Sequence, residues 1–167
     1  MPTREFKELL NLQVIANSEA KGVGKVHGVL FDPSANALYG LVITPVEKDG
    51  ALLFLPLKGI HTIGKDAVTM ADVDLLEPFE QNSEAQKISS AGGYLNGMNV
   101  MTESGETIGK INKVTINEDG TVASYHSTTG FMGTQHDIEP SEVVAGSKEM
   151  LIISDSAREG APKNITS

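Results

Sequence analysis

The fold of this chain is decided by the stretch Gly24-Lys25-Val26-His27-Gly28-Val29-Leu30-Phe31-Asp32-Pro33. It is typical of a strand that runs into a turn, because residues that favour strands are followed by an Asp-Pro pair. The stretch returns in weaker form as Gly109-Lys110-Ile111-Asn112-Lys113-Val114-Thr115-Ile116-Asn117. This repetition predicts that the chain consists of two copies of one small β unit.

The long strand of each copy carries the same break in its apolar pattern. Val26 and Val29 are three residues apart, so a regular pleat would point them to opposite faces of a sheet. One explanation is a β-bulge near His27-Gly28 and, in the second copy, near Asn112-Lys113, which would bend the strand as a small barrel requires. The other explanation is a strand that is buried on both faces, and the pattern alone leaves both open.

Short β elements are predicted on either side of the long strand. A capped apolar pattern predicts a short helix within residues 3–11, with Thr3 as its N-cap. Further strands of the first copy are predicted at 12–15, 38–44, 52–57 and 67–70. Pro56 cannot donate a ladder hydrogen bond, so we expect it at a strand end or a sheet edge.

Between the two copies the composition becomes polar and rich in Gly and Ser, which is typical of a linker. The predicted organisation is a first unit at residues 1–77, a linker at 78–93, a second unit at 94–155 and a flexible tail at 156–167. One helical turn is predicted within the linker, at 83–87.

The composition limits the partners and the location of the protein. With 13 Lys and Arg against 22 Asp and Glu, the formal net charge is -9, which disfavours nucleic acid and anionic membranes as direct ligands. No cysteine is present, which excludes disulfides, thiolate nucleophiles and cysteine-based zinc sites. The sequence shows neither a signal peptide nor an apolar run of membrane-spanning length. We therefore predict a cytoplasmic protein without direct membrane insertion.

Five segments together resemble the PRC-barrel family: Gly24-Lys25-Val26, Phe31-Asp32-Pro33, Gly40-Leu41-Val42, Leu55-Pro56-Leu57 and Ile63-Gly64-Lys65-Asp66-Ala67-Val68. This family is named for the cytoplasmic domain of the photosynthetic reaction centre H subunit and includes the C-terminal domain of the bacterial ribosome maturation factor. The resemblance covers residues 8–72 and, more loosely, 94–154. It implies an all-β fold with short helical turns, built as two tandem small barrels that act as protein-docking modules. The family carries no shared catalytic residue over to this chain.

The candidate chemical groups lie mainly in the second unit, which has a polar segment at 124–129 where the first unit has the apolar run 41–43. His126, His136 and Asp137 are weak candidates for a metal site with nitrogen and oxygen ligands. No recognised histidine spacing supports that site. A solvent-facing barrel surface explains the same residues more simply.

Two further groups of residues invite a functional interpretation. Ser127 lies beside His126, but no Gly-x-Ser-x-Gly turn accompanies the pair, so a polar loop or edge strand is favoured. Phe131 and Met132 follow Gly130 in the loop of the second unit. These two residues are candidates for contact with a partner protein, the alternative being that they fold onto the barrel.

The sequence as a whole predicts a non-catalytic protein-interaction or assembly module without a cofactor. Its partner would be another protein or a second copy of the chain in a homodimer. The alternative function is a sensor that binds a small ligand or a metal ion on the polar face of the second unit. An enzyme would need a deep pocket that joins His126 and His136 to a carboxylate.

Overall fold

The computed structural model describes residues 3–47, 49–91, 98–129 and 134–155. The first sheet contains β2 (Gln13–Ala16), β3 (Lys21–Asp32), β4 (Ala37–Pro45), β5 (Leu53–Pro56), β6 (Ile60–Ile63), β7 (Ala67–Met70) and β8 (Glu77–Pro78). The second sheet contains β1 (Arg4–Glu5), β9 (Asn99–Thr102), β10 (Thr107–Ile116), β11 (Val122–Thr129), β12 (Thr134–Ile138), β13 (Val143–Gly146) and β14 (Met150–Ile153). The only α-helix among the described residues, α1 (Ser83–Ser90), lies between the two sheets in sequence.

The two sheets repeat one topology, which confirms the predicted duplication. The strand order is β6-β7-β2-β3-β4-β5 in the first unit and β13-β14-β9-β10-β11-β12 in the second. In both units the last strand pairs in parallel with the first, through β2–β7 and β9–β14. A single helical turn precedes the strand at the start of this order in each unit, with Leu57–Gly59 before β6 and Pro140–Glu142 before β13. Each sheet curls into a half barrel. The fold is mostly β, as predicted.

The bulge explanation for the long strands is confirmed. The pairing of β3 with β4 shifts register between Val26 and Gly28, and that of β10 with β11 shifts between Ile111 and Lys113. The extra residue restores Val26 and Val29 to the same side, where both are buried in one apolar cluster. Pro56 ends β5, in agreement with its missing amide hydrogen.

The predicted helix at residues 3–11 is wrong in extent and in its cap. Arg4 and Glu5 form β1, which pairs with the end of β10, and only Phe6–Leu9 makes a helical turn. Glu5, not Thr3, is the N-cap, and it forms a reciprocal capping box with Glu8. These first residues form a strand because the end of β10 has backbone groups free to pair with them. A local sequence pattern cannot show that such a pairing partner exists.

The helix between the sheets is longer than the predicted single turn. Asn82 caps α1 by accepting a hydrogen bond from the amide of Ala85, at 2.9 Å. Ala85 and Ile88, one helical turn apart, are both buried. They pack on the outer face of the first sheet in a small apolar cluster with Leu30, Val42 and Phe54.

One larger apolar core runs through both units. Its members come from the inner faces of both sheets and include Phe31 and Leu41 of the first unit and Tyr125 of the second. The rings of Phe31 and Tyr125 meet edge to face with centroids 5.9 Å apart. The hydroxyl of Tyr125 donates a 2.6 Å hydrogen bond to the side-chain oxygen of Asn36. We call the contact between the turn after β3 and the turn after β10, with the strands beside them, the seam.

Candidate functional site

A groove opens on the first unit between the end of β4 and the bulged part of β3. Its volume is about 430 Å³. It is lined by Leu10, Asn11, Gly24, Lys25, Val26, His27, Thr44, Pro45 and Val46. We call this cavity the Val46 groove.

The walls of the Val46 groove are fixed by backbone contacts. The amide of Val46 donates to the carbonyl of Val23 at 3.0 Å, and the amide of Asn11 donates to the carbonyl of Val26 at 2.9 Å. Gly24 lets β3 and β4 approach closely, since a Cβ built on it would lie 2.1 Å from the carbonyl oxygen of Thr44. The groove is therefore a preformed part of the fold.

Two large apolar side chains are exposed on this groove. Leu10 is 43% exposed and Val46 is 67% exposed. Lys25 and His27 are exposed on the same wall, and the lining contains no Asp or Glu. The groove thus combines apolar surface with basic character on a chain whose net charge is -9.

Val46 also borders a second groove, of about 500 Å³, on its other side. The floor of that groove is apolar and includes Leu53, Val73 and Leu76, while Glu47 and Glu80 add negative charge. Val46 therefore stands as a ridge between a basic groove and a mixed one.

A third cavity, of about 580 Å³, lies between the units, where β1 meets the β6–β7 turn. Its lining carries both signs of charge, with Arg4 and Lys65 against Glu8, Asp66 and Glu118. The guanidinium of Arg4 donates to the backbone carbonyls of Gly64 and Lys65. Because this cation already holds the two units together, the cavity is better explained as part of their packing than as a ligand site.

The polar segment of the second unit forms a chain of hydrogen bonds on the outer face of its sheet. Nδ1 of His126 lies 2.7 Å from a carboxylate oxygen of Asp137, and Nε2 lies 2.9 Å from the hydroxyl of Ser124. Ser124 in turn contacts the hydroxyl of Thr115 at 3.0 Å. The imidazole side chain is 13% exposed and the Asp137 side chain is 71% exposed, so the chain ends in solvent.

These contacts have the order of a nucleophile, a base and an orienting acid. An acyl-transfer site also needs donors for the developing oxyanion and room for the substrate carbonyl next to the nucleophile. None of the three cavities described above is lined by Ser124, His126 or Asp137. The arrangement therefore supports a stable polar surface and carries no hydrolytic assignment.

The candidate metal ligands are only partly brought together. Asp137 is in register with His126, whereas His136 is in register with Ser127. Successive residues of a strand point to opposite faces, so His136 faces away from the other two. Within the ranges that the structure describes, no group of three or more His, Asp or Glu residues could hold a metal ion. Phe131 and Met132 lie outside the described residues.

Sequence reasoning missed Leu10, Lys25, His27 and Val46 as one surface, and it missed Ser124 as the partner of His126. Ser124 could have been found from the strand alternation, because residues two apart on β11 share a face. Val46 could have been noticed as an apolar residue inside a turn. The convergence of residues as far apart in sequence as Leu10 and Val46 leaves no local signal.

In the described part of the chain, no helix is long and apolar enough to cross a membrane. The family model for the PRC-barrel domain matches residues 1–76 and 92–155. None of the curated proteins matches this chain.

Proposed function

The chain belongs to the PRC-barrel family, and on that premise we propose that it is a non-catalytic docking module whose partner protein binds in the Val46 groove. One observation carries the proposal. Among the described residues, the large apolar side chains with high exposure are Leu10, Val46 and Val144, and two of these three line the same groove. Single exposed apolar residues are ordinary, whereas two that converge on a cavity are typical of a docking site.

The charges of the groove define the chemistry of the partner. Lys25 and His27 are the ionisable residues of its lining. A partner segment with an apolar centre and acidic flanks would be attracted here and repelled by most of the remaining acidic surface. A second copy of the chain is a poorer occupant, because two molecules of net charge -9 repel each other. We also propose a cytoplasmic location, which the absence of cysteine favours.

Panning a phage-displayed peptide library against the purified protein tests this proposal. We expect the enriched peptides to combine a large apolar residue with Asp or Glu. The double variant Leu10→Ala/Val46→Ala should bind them about tenfold to a hundredfold more weakly, because each truncation removes about 1 kcal/mol of apolar burial. Fluorescence anisotropy with a labelled peptide measures the loss.

The chain offers matched controls for both features of the groove. Val144 is 54% exposed on β13 of the second unit, and Val144→Ala should leave binding unchanged. Lys25→Glu should weaken binding several-fold, whereas Lys110→Glu, at the equivalent exposed position of β10, should not. Enriched peptides that bind the double variant as well as the native chain would refute the site. A homodimer that the double variant abolishes would make a second copy the occupant instead.

The second candidate function is a sensor for a small ligand or metal ion on the polar face of the second unit. The observation in its favour is the chain of contacts through Ser124, His126 and Asp137. Elemental analysis and a thermal shift on adding zinc, then EDTA, address the metal. A shift that His126→Ala removes would support this function, and protein without metal and without a shift would exclude metal sensing.

A further inference from the structure

Two Asp-Gly pairs occur in this chain, and they lie in turns of different units. Asp49-Gly50 lies between β4 and β5 of the first unit, and Asp119-Gly120 lies between β10 and β11 of the second. In such a pair the amide nitrogen of the glycine can attack the side-chain carboxyl carbon of the aspartate, because glycine has no side chain to hinder the approach. The two pairs share this chemistry, so a difference in their reactivity must come from the structure around them.

The carboxylate of Asp119 is held by its own turn. One of its oxygens accepts hydrogen bonds from the hydroxyl of Thr121 at 2.6 Å and from the amide of Thr121 at 3.0 Å. These bonds keep the pKa of Asp119 below its ordinary value, since they favour the charged form. A carboxylate must be protonated before it can lose its hydroxyl group, so this carboxylate is a poor target for the glycine amide.

Gly120 is fixed as firmly as the aspartate before it. It is buried, its amide donates to the carbonyl of Asn117 at 3.0 Å, and its carbonyl accepts from the amide of Leu38 at 2.9 Å. The attack needs the peptide group between the aspartate and the glycine to rotate. That rotation would break the bond to Asn117 and move the carbonyl away from Leu38, so the second pair is protected.

The first pair lacks these restraints. Asp49 and Gly50 are both exposed, and the carboxylate of Asp49 has no hydrogen bond or ion pair within the described residues. The amide of Gly50 donates to the carbonyl of Glu47 at 3.1 Å. Asp49 has a φ of 69°, in the left-handed region that residues with a side chain rarely adopt. Rotation of the peptide group between Asp49 and Gly50 therefore breaks an exposed hydrogen bond and releases an unfavourable backbone conformation.

We propose that Asp49-Gly50 is a site of spontaneous isomerisation to isoaspartate, and that the product is a substrate for a methyltransferase specific for isoaspartyl carboxylates. The amide nitrogen of Gly50 bonds to the side-chain carboxyl carbon of protonated Asp49. The proton of that nitrogen and the hydroxyl of the carboxyl group leave as water. This inference concerns the turn between β4 and β5 and does not depend on the Val46 groove.

The five-membered succinimide that forms is opened by water. Addition of water to the former backbone carbonyl of Asp49 breaks its bond to the nitrogen of Gly50 and frees the α-carboxylate. The backbone then passes through the side chain of Asp49 and is one methylene group longer. The water lost in the first step returns in the second, so the overall reaction is balanced without a further reactant. The freed α-carboxylate is the group that the methyltransferase esterifies with the methyl group of S-adenosylmethionine.

Ageing of the full chain at physiological temperature and neutral pH, followed by enzymatic methylation with radiolabelled S-adenosylmethionine, tests the proposal. Trypsin cleavage after Lys58, Lys87 and Lys113 places the two Asp-Gly pairs on separate peptides. It also isolates Asn96-Gly97, which gives the same product by loss of ammonia and lies outside the described residues. The label on each peptide therefore reports on one pair.

We expect the peptide with Asp49 to gain at least about ten times as much label as the peptide with Asp119. Loss of a hydrogen bond to a charged group corresponds to about this factor. In concentrated urea the two peptides should gain similar amounts, because unfolding removes the difference between the turns. Similar labelling of the two pairs in the folded chain would overturn the proposal. So would a folded chain in which Asp49 gains no label although it does so in urea.

Two variants separate the contributions of the two turns. Asp49→Glu should remove the label from the first peptide, because a six-membered ring closes far less readily, and should leave Asp119 unchanged. Thr121→Val removes the hydroxyl that holds Asp119 and should raise the label on the second peptide about tenfold. Circular dichroism checks that both variants are folded. A folded Thr121→Val chain without added label on Asp119 would contradict the protective role of Thr121, on which the comparison of the two turns rests.

Discussion

The two units share one topology, but the outer face of the first sheet is apolar and the outer face of the second sheet is polar. Leu30, Val42 and Phe54 of the first sheet are buried beneath α1, while the second sheet carries Thr115, His126 and Asp137 at the same register positions. The inner faces of both sheets remain apolar and meet in one core. The comparison shows that the apolar inner face specifies the half barrel. The polarity of the outer face depends on whether a helix or solvent covers it.

Gly40 and Ser124 show how closely the outer positions depend on one another. A Cβ on Gly40 would lie 2.5 Å from the ring of Phe54 and from the carbonyl oxygen of Leu55. Ser124 stands at the equivalent position, where the aromatic ring is replaced by Asp137. A small residue under a large ring has thus become a hydroxyl beside a carboxylate, and His126 connects the two.

Replacing an apolar residue of the first outer face by its polar counterpart from the second should have the largest effect on stability. Phe54→Asp places a charge in the cluster beneath α1 and removes a fully buried ring. We expect the free energy of unfolding to fall by at least about 3 kcal/mol, since neither the desolvation of the carboxylate nor the lost packing is compensated. Urea unfolding measures the loss, and limited proteolysis shows whether α1 detaches.

The reverse change is the control for this comparison. Asp137→Phe alters a side chain that is 71% exposed, so the free energy of unfolding should change by about 1 kcal/mol or less. If Phe54→Asp cost no more than Asp137→Phe, the cover supplied by α1 would not explain the difference between the faces.

The seam supplies a prediction with an effect of intermediate size. It contains a tyrosine, Tyr125, whose hydroxyl has no equivalent in the first unit. Tyr125→Phe removes the hydrogen bond to Asn36 and should lower the free energy of unfolding by about 1 to 2 kcal/mol. Leu41 occupies the equivalent position of the first unit. Leu41→Val, a truncation without a polar partner, serves as the packing control.

The same tyrosine should make stability fall in alkaline solution. Burial, with a smaller effect of the charge on Asp32, raises the pKa of Tyr125 above its ordinary value of about 10. The unfolded chain therefore loses this proton first, so the stabilisation is complete below about pH 10 and declines as the pH rises towards the folded-state pKa. In urea titrations, the free energy of unfolding of Tyr125→Phe should decline less steeply than that of the native chain between pH 10 and 11, which is about one unit above the ordinary pKa. Equal slopes for the two proteins would contradict the assignment.

The smallest expected effect is a gain in stability. Ser127 is fully buried where the first unit has Ile43, and its hydroxyl finds no hydrogen-bond partner within the described residues. Ser127→Ala should raise the free energy of unfolding by about 1 kcal/mol, because an unsatisfied polar group leaves the core. Ser124→Ala on the same strand removes a bonded hydroxyl and should lower it by a similar amount. If both substitutions changed the free energy of unfolding in the same direction, the distinction between the unsatisfied hydroxyl and the bonded one would be contradicted.

The sequence predicts those features of the fold that depend on neighbouring residues. Repetition of one long strand indicates the duplication, and the parity break between Val26 and Val29 indicates the bulge. Pro56 marks a strand end because it lacks an amide hydrogen. Each of these signals lies within one element, so it survives without knowledge of what packs against that element.

The features that the sequence does not predict depend on contacts between distant elements. β1 exists because the end of β10 offers it a pairing partner. The spacing of Ala85 and Ile88 marks an apolar face on α1 but cannot name the sheet that receives it. The Val46 groove requires residues from three separate segments to meet, and His126 finds Asp137 only because their strands are neighbours.

The continuous core gives the duplication a thermodynamic signature. Tandem repeats that touch only through narrow boundaries can melt one after another, with each repeat close to independent. Here Phe31, Leu41 and Tyr125 belong to one buried cluster drawn from both halves, so exposing either half strips the other of apolar contacts. Calorimetry should therefore record a single cooperative endotherm whose van't Hoff and calorimetric enthalpies agree.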